Sequence, residues 1–265
     1  MSVIPDQSHV AVHPPNRCWI PDNQGEEETI RIYCFHPAGG AASLFRGWSK
    51  SGLRGAATWA LQLPGREGRL REAPYRSMPE AVKEVVDALA EPLGPNDCFF
   101  GYSLGALIAF ETVRELRRRG RTLPGRLIVA ASAAPGASHV RNPTVSMLSD
   151  DDLIEEIRRS HTVPKVILDD RDVMKVVLPT IRADFQLLEG YQAAKDDPLP
   201  ISIVAYGAIS DPYVQPFEAA EWGGATTSSF RLRFFVGDHY FLKSAAHEIF
   251  DDLTLELGLP RRGTD

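Results

Sequence analysis

Apolar residues follow two rhythms along this chain. Short, nearly continuous apolar runs alternate with longer stretches in which apolar residues return every third or fourth position. The first rhythm fits strands covered on both faces of a sheet, the second helices with one apolar stripe. Strands are predicted at Thr29–Phe35, Thr58–Leu63, Cys98–Phe100, Leu127–Ala133, Ile201–Tyr206 and Phe230–Val236. Helices are predicted over Ser43–Ser51 and over Met78–Leu93, where Met78, Val82, Val85, Val86 and Leu89 share a stripe. Another follows Gly105, carrying Leu107, Ile108, Phe110, Val113 and Leu116, with Arg117 to Arg119 in its last turn and Gly120 as its stop. A closing helix covers Ala245–Leu257. Strands alternating with helices in this order imply an α/β fold with a mostly parallel, doubly wound sheet.

The alternation stops between Pro135 and Pro198. There the pattern is helical: Asp150–Ser160 behind a Ser149-Asp150-Asp151-Asp152 start, then Asp170–Val177 and Leu178–Gln192. A helical insertion between sheet strands commonly forms a lid over the site. The expected organisation is a flexible arm at residues 1–28, an α/β domain at 29–258 with a lid insertion at about 136–198, and a tail at 259–265. Within the arm, Cys18-Trp19-Ile20 is apolar enough to pack on the domain.

Composition narrows the partners. The 265 residues are 43% hydrophobic and 24% charged, as in ordinary soluble domains, and the net charge of −6 argues against nucleic acid. Cys18, Cys34 and Cys98 are odd in number and widely spaced, which predicts buried reduced thiols and a cytoplasmic setting. No apolar run has membrane-spanning length, and the first residues lack the charged-then-apolar order of a signal peptide.

The candidate chemistry begins at Gly101-Tyr102-Ser103-Leu104-Gly105, a G-x-S-x-G match between a predicted strand and helix. Such a turn holds the serine in strained backbone space at a helix N-terminus, and its flanking glycines let strand and helix approach. The pattern alone is weak, because chance produces it in roughly one chain in ten of this length. Its context is stronger. Ser103, Asp211 and His239 all stand at the C-terminal ends of predicted strands, the edge where open α/β sheets bind ligands. Their chain order, Ser then Asp then His, is that of α/β-hydrolases. Serine needs a base to become a nucleophile, and imidazole titrates near neutral pH. His239 is therefore the candidate base and Asp211 the group that fixes its tautomer. Oxyanion donors are expected from the Leu104 N–H and from an N–H of the His36-Pro37-Ala38-Gly39-Gly40 turn. His36 is read as part of that turn. Asp238 is set aside because an adjacent residue points elsewhere, and Asp196 and Asp197 because they precede their strand.

Several motifs occur together and in order: FHPAGGAAS with Trp48, LPGREGRLREAP, FFGYSLGALIAFE, SAAPG, LPTIRADFQLLEGY, the Asp211 region with Trp222, and GDHYFL. From Ile30 to Leu257 the chain resembles the stand-alone type II thioesterases of polyketide and nonribosomal peptide assembly lines, of the α/β-hydrolase superfamily. The resemblance implies a triad of Ser103, Asp211 and His239, with Ala38 and Leu104 as oxyanion donors. It implies hydrolysis of acyl thioesters from the phosphopantetheine arm of acyl or peptidyl carrier proteins, which clears stalled or misloaded units. No metal or bound cofactor is implied, since the arm belongs to the partner. The chain departs from the family pattern at Tyr102, where histidine is commoner, in the HPAGG turn and in the AISDPYVQP segment around the acid.

Two expectations concern surroundings. Val145, Met147, Leu148, Leu153, Ile157, Phe185, Leu187 and Leu188 of the insertion either face the acyl group or pack lid onto sheet. Arg66, Arg69, Arg71 and Arg76 either dock an acidic carrier protein or support the fold. The rival activities are a carrier-independent esterase, a chain-releasing acyltransferase or cyclase, and a carrier-binding protein without turnover.

Overall fold

The computed structural model describes residues 17–22, 30–89, 91–137, 144–160, 163 and 165–260. Seven strands form one sheet: β1 (Trp19–Pro21), β2 (Ile30–Phe35), β3 (Ala56–Leu61), β4 (Asp97–Tyr102), β5 (Arg126–Ala130), β6 (Ser202–Ala208) and β7 (Phe230–Phe235). Their order is β1-β3-β2-β4-β5-β6-β7. β1 pairs antiparallel with β3 and every other pair is parallel. Parallel neighbours require crossovers, and helices supply them. The crossovers carry α1 (Trp48–Ser51), α2 (Met78–Asp87), α3 (Leu104–Arg118), α4 (Asp150–Ser160), α5 (Lys165–Leu168), α6 (Arg171–Glu189) and α7 (Pro216–Ala220), and α8 (Phe241–Ser244) and α9 (Ala246–Glu256) follow β7.

The strands are apolar throughout because both faces are covered. In β2, Tyr33 and Phe35 join one core with α2, α3 and the insertion. Ile32 and Cys34 join the other, with Trp48, Ile249 and Leu253. The same alternation divides Phe99 from Cys98 and Phe100 in β4. This period-two split makes two buried layers from one sheet.

The apolar patch of the arm meets its expectation, and two helices differ from theirs. Cys18-Trp19-Ile20 packs on the domain as part of an edge strand, through Trp19 against Tyr33 and Phe35 at 5.0 and 5.3 Å. The rest of the arm lies outside the described residues, as does most of the 259–265 tail. The helix begun at Met78 ends at Asp87, short of Leu93. The two helices expected on either side of Val177 are one, α6, with Pro179 inside it. Proline removes one N–H from the helix ladder, and the carbonyl left over belongs to Lys175, an exposed residue whose carbonyl can turn to water. Among the described residues no helix is long and apolar enough to cross a membrane.

Candidate active site

Ser103 sits between β4 and α3 with φ 53° and ψ −117°, a conformation non-glycine residues rarely adopt. Two glycines make the bend possible. A Cβ on Gly101 would lie 2.4 Å from the Ala106 Cα. One on Gly105 would lie 2.2 Å from the Phe35 carbonyl oxygen and 2.7 Å from that of His36. The elbow therefore presses directly on the end of β2. The Ser103 N–H donates to the Ala130 carbonyl at 2.8 Å, which ties the bend to β5.

The structure brings the three sequence-predicted residues into one line. His239 Nε2 lies 3.3 Å from Ser103 Oγ, and His239 Nδ1 lies 2.8 Å from Asp211 Oδ2. All three residues are buried. In this arrangement His239 Nδ1 keeps its proton and donates it in a hydrogen bond to the carboxylate, which leaves the Nε2 lone pair facing the hydroxyl. The other Asp211 oxygen accepts the Tyr213 and Val214 N–H groups at 2.8 and 3.1 Å, so the loop after β6 fixes the carboxylate plane. Asp238 turns away and accepts the Tyr240 N–H. Asp196 lies among Arg114 and Arg117.

Facing Ser103 is the turn that ends β2. Phe35 pairs with Gly101, which brings His36 and Pro37 alongside the elbow. Among the described residues neither the Ala38 N–H nor the Leu104 N–H has a protein acceptor. Free backbone donors beside a nucleophile at a helix N-terminus form an anion-binding arrangement. His36 is wholly buried and its Nδ1–H donates to the Pro37 carbonyl at 2.9 Å. Burial, with Arg66 nearby, lowers its pKa to about 4, so it is neutral in ordinary buffers.

Three contacts escaped the sequence reading. Tyr102, the departure in the elbow, donates its hydroxyl to the His239 backbone carbonyl. The Tyr213 ring meets the His239 ring edge-on at 5.1 Å, and its hydroxyl donates to Glu156 of α4 at 3.1 Å. Arg66 and Asp184 form a buried bidentate pair, at 2.8 and 2.7 Å, behind the β2 turn. The LPGRE and RADF motifs carried those last two residues, but nothing local joins positions 118 apart.

A cavity of about 820 Å³ opens beside the triad. Its wall includes Pro37, Gly39, Tyr102, Asp238 and Tyr240 on the sheet side and Val163, Ile167, Val177 and Ile181 from the insertion. Of the insertion residues singled out in the sequence, Val145, Leu153, Ile157, Phe185, Leu187 and Leu188 are buried in the core, Leu148 packs against it half-buried, and Met147 is exposed. All but Met147 pack lid onto sheet, the second of the two alternatives. The arginine run also divides. Arg66 and Arg69 are buried and paired, Arg69 with Glu72 and Glu84, so they support the fold and present no docking surface. Arg71 and Arg76 are exposed.

Comparison with known proteins gives a consistent picture. A family model described as thioesterase domain matches residues 30–255. The chain is 30% identical over 244 residues to the gramicidin S biosynthesis protein GrsT of Aneurinibacillus migulanus, across 92% of this chain and 95% of that protein. It is 34% identical over 238 residues to thioesterase PikA5 of Streptomyces venezuelae, across 89% and 84% of the two. Among solved structures it is similar to the type II thioesterase BorB from the borrelidin biosynthetic cluster. The TM-score is 0.82 at 27% identity, over 94% of this chain and 100% of that one.

Proposed function

This chain belongs to the thioesterase family, and from that premise we propose how its site works. It has the α/β-hydrolase fold and is a type II, editing thioesterase of nonribosomal peptide and polyketide pathways. Its substrates are acyl groups held as thioesters on the phosphopantetheine arm of acyl or peptidyl carrier proteins. Three buried cysteines outside any disulfide fit the reducing cytoplasm in which this reading places it.

Ser103 Oγ attacks the thioester carbonyl as His239 Nε2 takes its proton. The carbonyl oxygen becomes an oxyanion, held by the Ala38 and Leu104 N–H groups. Asp211 steadies the imidazolium. The tetrahedral carbon collapses to an acyl-serine, and the pantetheine sulfur leaves with the proton from His239. Water, deprotonated by the neutral His239, then attacks the acyl-serine, and Ser103 recovers its proton from the same imidazole. The insertion acts as a lid whose aliphatic residues Val163, Ile167, Val177 and Ile181 shape the acyl pocket.

The observation that carries this reading is the Ser103–His239–Asp211 line, at 3.3 and 2.8 Å, behind a serine held at positive φ. The test offers one acyl group in three forms: on a carrier protein, on N-acetylcysteamine, and as a p-nitrophenyl ester. The proposal expects kcat/KM to be highest on the carrier. Turnover of the free ester with an untouched acyl-carrier protein would favour a carrier-independent esterase. Acyl transfer to an added alcohol in preference to water would favour an acyltransferase.

A further inference from the structure

The Asp184–Arg66 pair lies outside the triad, yet it touches the backbone that the proposed oxyanion donor belongs to. Asp184 comes from α6 of the insertion and is 1% exposed; Arg66 comes from the loop after β3 and is 8% exposed. Arg66 Nη2 and Nη1 donate to the two carboxylate oxygens at 2.7 and 2.8 Å. The pair then reaches the β2 turn twice. Asp184 Oδ2 accepts the Gly39 N–H at 2.8 Å, and Arg66 Nη1 donates to the Gly40 carbonyl at 2.9 Å. Gly40 N–H donates back to the Pro37 carbonyl at 3.0 Å, where His36 Nδ1–H also donates.

These bonds fix more than the atoms they join. In a planar trans peptide the N–H points opposite to the C=O of the preceding residue. Holding the Pro37 carbonyl on one side therefore sets the direction of the Ala38 N–H on the other. Gly39 and Gly40 have no Cβ to stiffen this turn, so the side chains behind it must do so. A buried ion pair is expensive to desolvate and often no more stabilising than apolar residues of similar volume. Stability alone gives no reason for one here.

We infer that the buried Asp184–Arg66 pair is a positioning device for oxyanion binding: it clamps the Gly39–Gly40 backbone and thereby aims the Ala38 N–H. Asp184 and Arg66 touch neither the nucleophile nor the reacting carbonyl. They act through the turn, and the inference rests on the reading of Ser103 as nucleophile and Ala38 as donor.

The test uses Asp184→Asn and the apolar double variant Arg66→Met/Asp184→Leu. Hydrolysis of p-nitrophenyl acetate, phosphonylation of Ser103 by a fluorophosphonate and thermal unfolding are followed in parallel. Removing one oxyanion donor costs about 100- to 1,000-fold in kcat, so a misaimed donor is expected to cost about 10- to 100-fold. Asp184→Asn should lose that much in kcat and in phosphonylation rate, with KM within about twofold of wild type. The double variant should regain wild-type Tm while kcat stays at least about tenfold down. A double variant restored in both Tm and kcat would make the pair merely structural and overturn the inference. Should the double variant not fold, Asp184→Asn decides: a folded protein with wild-type kcat and phosphonylation rate overturns it. Phosphonylation does not involve a carrier protein, so an enzyme inactive on acyl carriers but labelled at Ser103 would refute the thioesterase reading and leave this one standing. A wild-type protein not labelled at Ser103 would refute both.

Discussion

Tyr102→Phe removes a hydroxyl that holds the loop of the candidate base at two backbone points, the His239 carbonyl and the Leu242 N–H. Tyr102 is 2% exposed, packs 5.8 Å from Phe241, and donates its hydroxyl to the His239 carbonyl. Burial pushes the phenol well above its ordinary pKa, so it is a neutral donor across the working range. Phenylalanine keeps the ring and its contacts but leaves the His239 carbonyl without this donor and the Leu242 N–H without this acceptor. The unmade bond costs about 1–3 kcal/mol. Taking about 2 kcal/mol, Tm should fall by roughly 4–8 °C for a chain of this size. The imidazole stays anchored to Asp211 at 2.8 Å. Ester hydrolysis is therefore expected to slow by less than about tenfold, far less than on loss of a triad member. Calorimetry and steady-state kinetics on the purified variant give both numbers. A Tm within about 1 °C of wild type, with unchanged kcat, would show that the His239 loop is held without the phenol and refute the reasoning.

Further predictions concern charge, thiols and the elbow. His36 has a folded pKa of about 4 against an ordinary 6.5, so between those values the unfolded chain binds a proton that the folded one refuses. Its contribution is complete above pH 6.5 and is lost as pH falls toward 4, about 3 kcal/mol in all. Tm measured across that window should fall less steeply in His36→Gln than in wild type; parallel curves would contradict this. Burial pushes the Cys18 and Cys98 thiols up to about 12 and Cys34 well above its usual value. Ellman's reagent should label none of the three in native protein and all three in guanidinium, and rapid native labelling would oppose this packing. Gly105→Ala places a Cβ 2.2 Å from the Phe35 carbonyl oxygen, both partners being backbone. Urea unfolding should show a loss of about 3 kcal/mol or more, and a loss below about 1 kcal/mol would mean the elbow is looser than described.

Much of the fold was legible because the apolar runs of β2, β4, β5 and β6 are covered on both faces and read as strands without help. The elbow was legible because its demands are local: two glycines around a serine between a strand and a helix. Asp211 and His239 followed from strand ends and chain order, and the structure brings them within hydrogen-bond reach of the line that starts at Ser103. The edge strand β1 was legible only as an apolar patch, since three residues carry no alternation. Pro179 disguised α6 as two helices, because a proline signals a break whether or not packing carries the helix through it. The lid-on-sheet packing of Leu153, Ile157, Phe185, Leu187 and Leu188 is one of the two alternatives their stripe offered, but Val163, Ile167, Val177 and Ile181, which line the cavity, escaped the sequence reading, because periodicity reveals an apolar stripe but not what covers it. The Asp184–Arg66 pair, the Tyr102 hydroxyl and the Tyr213 ring depend on contacts between distant segments. Their motifs showed that something was specified there, and only the fold shows what.

The central claim is that Ser103 removes acyl groups from a carrier arm through an acyl-enzyme. Intact-protein mass spectrometry of enzyme mixed with an acyl-carrier protein, quenched over time, tests it most directly. With wild type the acyl mass should leave the carrier and pass transiently through the peptide containing Ser103, while Ser103→Ala leaves the carrier fully loaded. A Ser103→Ala protein that strips the carrier at the wild-type rate, or a wild type that leaves it acylated, would contradict the account.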